Sequence, residues 1–350
     1  MRQERADLPA VTGFVRAEYP ERVAVVSAYD RIDLSAELCR EHPAIMATML
    51  CADTELHVHL EGSMEPELLC RLDPGLTLAD ARQLYRFDSF AGFIESFKSA
   101  VRRLQTPEHY ALAAEALFAA QAQQGITYAE AIFSAGVVLW KGQSRDEVWA
   151  ALRQVSQSAP LEVRWNVDVV RQLGAEPAEE VAAWAARNAN SEIVSFGIGG
   201  DETAVPAEQF RRAVAIATEA GLKFHPHAGE TSTAQNVWEM VEMGATRIGH
   251  GIRSVEDASL LAALRERGIP LEVCPTSNVR TGAVPSFEAH PLRKLFDSGV
   301  VVTLNSDDPA IFGCTLPGEF EVARKLGFTQ AELEQIAENA RAAALANGAL

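Results

Sequence analysis

Basic residues are scarce in this chain. Its formal net charge is −17 over 350 residues, with no block of Lys and Arg to offset it. A phosphate backbone or an anionic membrane surface needs clustered cations, so neither nucleic acid nor membrane is an expected partner, while a small neutral or cationic ligand remains compatible with the charge. Cysteines are few as well. Cys39, Cys51, Cys70, Cys274 and Cys314 are odd in number and show no C-x-x-C spacing, which reads as reduced, mostly structural thiols of a cytoplasmic protein. No run approaches the roughly 18 uncharged apolar residues of a membrane helix. Arg2, Glu4, Arg5 and Asp7 occupy the start, where a signal peptide would build its apolar core. No fixed-period repeat is visible, and no G-x-G-x-x-G turn follows the first strand-like run, which argues against a doubly wound dinucleotide fold.

What is present is a rhythm. Runs rich in Val, Ile, Phe and Tyr fall at 55–59, 127–133, 162–169, 193–198, 223–227, 247–250, 270–274 and 300–305. Helix-like segments separate them at 100–124, 145–157, 177–188, 206–220, 234–243 and 255–267. Thr106-Pro107-Glu108 offers a helix start, and Gly221, Gly244 and Gly268 follow three helices where a left-handed terminus favours glycine. Eight strands alternating with helices predict a (β/α)₈ TIM barrel over 51–350. Residues 1–50 read as an N-terminal extension, with a candidate strand at 23–28 and a candidate helix at 34–49. Residues 87–98 read as an insertion over the barrel mouth and 317–346 as closing helices. The sequence leaves the oligomeric state open.

The barrel's chemistry belongs at the C-terminal ends of its strands, and there the chain places its unusual polar residues. In Thr54-Glu55-Leu56-His57-Val58-His59-Leu60-Glu61-Gly62-Ser63, strand alternation points His57 and His59 to one side. His227-Ala228-Gly229-Glu230 ends the fifth run, Gly249-His250-Gly251 the sixth, and Asn305-Ser306-Asp307-Asp308-Pro309 the eighth. Any one of these has an ordinary reading, as a polar cap or a helix start; four together at strand ends do not. His57, His59, His227 and Asp307 offer three nitrogens and an oxygen, a donor set suited to a catalytic Zn²⁺ with a position open for water, whose pKa then falls toward about 7. Asp308 and His250 are candidates to orient that water and take its proton. Glu230 is a candidate acid that must be buried to hold a proton at neutral pH. His225 shares the face of His227; the Ala-Gly-Glu turn favours His227 as nearer the strand end. His42, His109 and His290 read as ordinary surface or core residues.

These motifs resemble the adenosine deaminase branch of the amidohydrolase superfamily. The resemblance spans about residues 54–312 and includes Gly199-Gly200-Asp201-Glu202, Arg247-Ile248-Gly249-His250-Gly251, and Glu272-Val273-Cys274-Pro275-Thr276-Ser277-Asn278 with Thr281-Gly282. It implies a metal-dependent hydrolase barrel with one Zn²⁺ per chain, since the lysine that bridges paired ions in two-metal relatives is missing from 193–202. It implies hydrolytic loss of the 6-amino group of a purine nucleoside, with attack at C6 and Glu230 protonating N1. It also implies that His250 and Asp308 activate the water, and that Gly200 N–H meets the purine N3. His59, Glu61 and Asp308 would contact substrate, Glu61 at the ribose. Cys274-Pro275-Thr276-Ser277 departs from the P-C-x-x-C of the cytidine-deaminase type of site.

Adenosine-specific members carry Asp where this chain has Glu61, and a polar turn where it has Ser134-Ala135-Gly136-Val137-Val138-Leu139-Trp140-Lys141. Adenine-specific members have the Glu but usually lack Gly-Gly-Asp-Glu. The combination is most similar to members that deaminate 6-aminodeoxyfutalosine in menaquinone biosynthesis, whose substrate carries an aromatic carboxylate on the sugar. Val138, Leu139 and Trp140 are then expected to wall the mouth, with Lys141 or a nearby Arg for the carboxylate. The alternatives are adenine deamination, another mononuclear amidohydrolase reaction, or an inactive binding protein; the last has no use for a complete acid, base and ligand set.

Overall fold

A computed structural model describes residues 52–344. The strand, helix and extension expected within 1–50, with His42, lie outside the described residues. Five parallel strands follow one another in chain order: β1 (Thr54–His59), β2 (Tyr128–Phe133), β3 (Glu162–Val170), β4 (Ile193–Gly199) and β5 (Lys223–Phe224). Four more form a second parallel run: β6 (His227–Ala228), β7 (Ile248–His250), β8 (Leu271–Val273) and β9 (Val302–Leu304). The split between β5 and β6 is one strand interrupted. Pro226 has no N–H to give a ladder, yet its carbonyl accepts from Gly249 N at 2.9 Å while His225 N donates to Phe196 O at 3.0 Å. Strand 223–228 therefore pairs with β4 on one side and β7 on the other.

The ring closes where the end of the eighth strand meets β1. Asp307 N donates to His57 O at 3.0 Å, and His59 N to Asp307 O at 2.7 Å. The result is the expected (β/α)₈ barrel. All residues of β1, β2 and β4 are buried, as in a parallel sheet covered on both faces. Between strands and helices an aromatic cluster is centred on Trp165 of β3, which meets Phe118, Trp149 and Phe133 edge-on at 5.8, 6.1 and 6.3 Å between ring centres.

Helix boundaries differ from expectation in one instructive place. Residues 100–124 are two helices: Phe90–Val101 ends first, and Pro107–Gln123 begins after Thr106, whose side chain accepts from His109 N. The insertion after β1 is longer than expected, running through helices Pro66–Leu72, Leu78–Leu84 and Phe90–Val101. Helices Leu316–Lys325 and Gln330–Ala343 close the chain as expected. No helix among the described residues is long and apolar enough to cross a membrane. Cys70, Cys274 and Cys314 are free thiols.

The interior of the barrel is charged. Arg247, 3% exposed, donates from Nε to Glu272 Oε1 at 2.5 Å and pairs through Nη2 with Glu130 Oε2. Tyr128 O–H donates to Glu130 at 2.9 Å. Burial would raise the Glu272 carboxyl, but Arg247 and His57 outweigh it and bring it down to about 2. Removing the cation strands two buried carboxylates. Arg247→Met is expected to cost about 3–5 kcal/mol in urea unfolding, whereas Arg82→Ala, which breaks a pair with side chains 60% and 50% exposed, should cost no more than about 0.5 kcal/mol. A loss below about 1 kcal/mol for Arg247→Met would contradict this account of the interior.

Candidate functional site

Alternation along β1 puts His57 and His59 on the barrel's inner face, and the closing seam brings Asp307 beside them. Asp307 Oδ1 lies 3.5 Å from His57 Nε2 and 3.4 Å from His59 Nε2. His59 Nε2 is 3.1 Å from His227 Nε2. Ligand bonds of about 2.0–2.1 Å at tetrahedral angles place donor atoms roughly 3.3 Å apart, so these separations suit one small ion. Two further observations favour a cation. His57 Nε2 is buried without a hydrogen-bond partner. Burial alone would also lower the His57 pKa, yet the carboxylates of Asp307, 3.5 Å from Nε2, and of Glu272, hydrogen-bonded at Nδ1, push it up to about 10. The field of those carboxylates draws positive charge to this point. Burial keeps His59 and His227 neutral, the former near pKa 3 and the latter well below its usual value, which leaves their lone pairs available.

His57 is held from behind. Its Nδ1 lies 2.8 Å from Glu272 Oε2, the carboxylate that Arg247 braces, which is how a metal-binding imidazole is commonly fixed. Space is tight: a Cβ on Gly249 would lie 2.7 Å from His57 Cε1. His225 stands apart, its Nδ1 3.0 Å from Arg247 Nη2, so of the two same-face histidines only His227 joins the cluster. His250 is the fourth nearby ring. Its ligating nitrogen falls within 4.8 Å of those of His57, His227 and Asp307, so two overlapping donor sets exist, one with His250 and one with His59, Asp307 and Asp308.

Hydrogen bonding decides what His250 offers. Leu292 N donates to His290 Nδ1 at 3.1 Å, so His290 carries its proton on Nε2 and donates to Asn278 Oδ1 at 3.2 Å. Asn278 Nδ2 then donates to His250 Nδ1 at 3.1 Å, leaving the His250 proton on Nε2. That nitrogen faces Glu230 Oε2 at 3.7 Å and Asp307 Oδ2 at 3.9 Å. Burial pulls the His250 pKa down to about 4. Neutral His250 is thus a donor into the site, which fits orienting a water better than taking its proton. His290 is a core residue, as expected, but it also fixes this tautomer; His109 is half-buried and hydrogen-bonds Arg103 O at 2.9 Å.

Glu230 sits on a turn clamped from below. Glu202 accepts from Gly229 N at 2.7 Å, Glu230 N at 2.8 Å and Thr231 N at 3.2 Å, and pairs with the Ser232 hydroxyl. Glu230 itself is buried, and that burial pushes its pKa up to about 8, meeting the condition for an acid at neutral pH. Asp308 opens the short helix Pro309–Phe312, but its side chain makes no capping bond. Its Oδ1 lies over Gly62, where a Cβ would be 1.6 Å away. Burial and ionised Asp307 beside it raise the Asp308 pKa well above normal, so its carboxylate, when ionised, is a stronger base than an ordinary aspartate. Asp307 and His250 both adopt left-handed backbone, φ +63° and +61°, a strain typical of functional sites.

These groups floor a cavity of about 1070 Å³, part of it open to solvent, lined by His59, His227, Glu230, His250, Asp307 and Asp308. Gly200 lines it at φ +88°, where a Cβ would lie 2.3 Å from Gln172 Oε1. Three expectations need correction. Glu61 is fully buried and accepts from Ser134 N at 3.0 Å; it is not among the lining residues. Of the three expected wall residues Trp140 does line the cavity, whereas Val138 is buried in the core and Leu139 packs against it; Val137 lines the cavity instead, since 135–140 is a helix. Lys141 is taken up by Val101 O at 2.7 Å and Leu104 O. Sequence reading passed over Glu202 and Asn278, quoted only within motifs, and Asp168, a buried carboxylate 3.9 Å from His227 Nδ1. Asp168 ends an alternation visible in β3, so its inward face was readable.

Residues 53–348 match the family model described as Adenosine deaminase. The chain is 39% identical over 300 residues to an aminodeoxyfutalosine deaminase of Streptomyces coelicolor, covering 81% of this chain and 78% of that one. It is 35% identical over 302 residues to an adenine deaminase of Sinorhizobium medicae, covering 83% and 93%. A solved amidohydrolase from Burkholderia ambifaria with bound Zn superposes with a TM-score of 0.80 at 25% identity, over 87% of this chain and 89% of that one.

Proposed function

The chain belongs to the adenosine deaminase family, and from that premise we propose that it deaminates 6-aminodeoxyfutalosine with one Zn²⁺ held by His57, His59, His227 and Asp307. Deamination of an aminopurine is the family's chemistry. The observation that carries the reading is the meeting of a buried acid, Glu230, with His59, His227 and Asp307 on the floor of one cavity. When bound, the ion would supply Lewis-acid stabilisation and lower the pKa of a water.

The protein's own groups do the rest. Glu230, protonated at neutral pH, donates to the purine N1 so that C6 becomes electrophilic. His250 Nε2–H orients the incoming water, and Asp308 accepts its first proton as the C6–O bond forms. Gly200 N–H is aimed at N3. Collapse breaks the C6–N bond. The amine leaves as ammonia with one of the water's protons, the other returns to Glu230, and the 6-oxo purine keeps its N1 proton. Asn278 and His290 hold the His250 tautomer, and Glu202 holds the Glu230 turn. The partner is a small purine nucleoside.

The substrate assignment rests on the cavity's upper wall, where Phe93, Phe97, Val137 and Trp140 exceed what a bare base or ribose needs. One observation favours the adenine reading instead: Glu61 spends an oxygen on Ser134 N rather than facing the cavity. Side-by-side kcat/KM values decide between them. The expected order is 6-aminodeoxyfutalosine, then adenosine, then adenine; adenosine or adenine ahead by tenfold or more would overturn the assignment. Glu230→Gln should keep fold and metal while turnover falls by about 10²–10⁴-fold. A fall of less than tenfold at unchanged metal content would remove Glu230 from the mechanism.

A further inference from the structure

The helix Phe90–Val101 covers the cavity with one face. Its lining positions are Phe90, Phe93, Ile94, Phe97, Lys98 and Val101. They follow the three-and-four spacing of a single helical stripe. Five of the six are apolar, and the rings step inward: Phe93 stacks on Phe312 at 5.0 Å, and Phe97 meets the edge of His59 at 6.3 Å. A stripe of this kind ordinarily buries only apolar side chains. Lys98 interrupts it.

Among the described residues that line the cavity, Lys98 is the only lysine or arginine. Its side chain is 22% exposed, while its ion-pair partner Glu95, at 2.7 Å, is 65% exposed and belongs to the helix's outer flank. Such a solvated pair is weak and exchangeable. A ligand carboxylate entering beside the aromatic stripe would be less solvated than Glu95 and would pair with Lys98 more strongly. Lys141, the other lysine near this wall, is committed to carbonyl oxygens and is not available.

We propose that Lys98 is a specificity-determining residue that anchors an anionic group carried on an apolar or aromatic substituent of the nucleoside's sugar. This rests on the aminopurine nucleoside reading of the same cavity. The aromatic stripe packs the substituent, and the Lys98 ammonium holds its far end, so the purine is delivered to Glu230 in one register.

The test compares 6-aminodeoxyfutalosine with its methyl ester as substrates of the metal-loaded full chain. The ratio of kcat/KM for acid over ester cancels any general loss of folded enzyme. Lys98→Gln is expected to lower this ratio at least fivefold, Lys98→Glu to lower it further, and Lys98→Arg to restore most of it. A fall of less than fivefold in both Lys98→Gln and Lys98→Glu, in enzyme that still turns over both compounds, would overturn the role of Lys98 alone. Deamination of adenine and neither nucleoside by the wild-type chain would overturn the substrate reading and this inference together.

Discussion

Two backbone hydrogen bonds tie the fold to the site. The bond from Asp307 N to His57 O and the bond from His59 N to Asp307 O close the barrel. The same three residues bring Asp307 Oδ1 within 3.5 Å of His57 Nε2 and 3.4 Å of His59 Nε2. Closing the ring and assembling the cluster are therefore a single event. A side chain at the last strand's end lands beside two at the first strand's end only if all eight strands are in register. The left-handed backbone of Asp307 is where that requirement is concentrated.

Charge inside the barrel extends the same dependence downward. His57 leans on Glu272, Glu272 on Arg247, and Arg247 on Glu130. Each member neutralises the next, so no charge within this chain of four stands alone. Around the mouth the logic is different. Glu202 holds a turn through backbone N–H groups, and His290 and Asn278 hold a tautomer through directed hydrogen bonds. These contacts set orientation rather than charge, and orientation is what a proton-transfer site needs. Burial raises the pKa of both Glu230 and Asp308, holding a proton on Glu230 at neutral pH and making the Asp308 carboxylate, when ionised, a stronger base.

The strand order and ring of polar strand ends were legible in the sequence because both obey local periodicity. His57 and His59 two apart on a strand share a face in any fold, and alternating strands and helices leave few architectures. The choice of His227 over His225 was also readable, from the turn that follows. What periodicity does not carry is partner choice across long sequence separations. Nothing local shows that Glu202 reaches residues 229–232, or that His290 steers His250 through Asn278. The break at Pro226 was visible in principle, since proline cannot donate to a ladder, and so was the helix boundary at Thr106-Pro107. The apolar stretch after β2 was legible only in part: Trp140 reaches the cavity as expected, but 135–140 coils into a helix that sends Val138 inward and presents Val137 instead. The lid stripe 90–101 was readable by its spacing; only the barrel shows which face covers the mouth.

The central claim is that His57, His59, His227 and Asp307 converge to hold one divalent ion, with His225 outside the set. Elemental analysis of the purified chain and two variants tests it most directly. The account predicts close to one equivalent of a divalent metal in the wild-type chain, its loss in His227→Ala, and its retention in His225→Ala. Two equivalents in the wild type, or metal retained by His227→Ala, would contradict it.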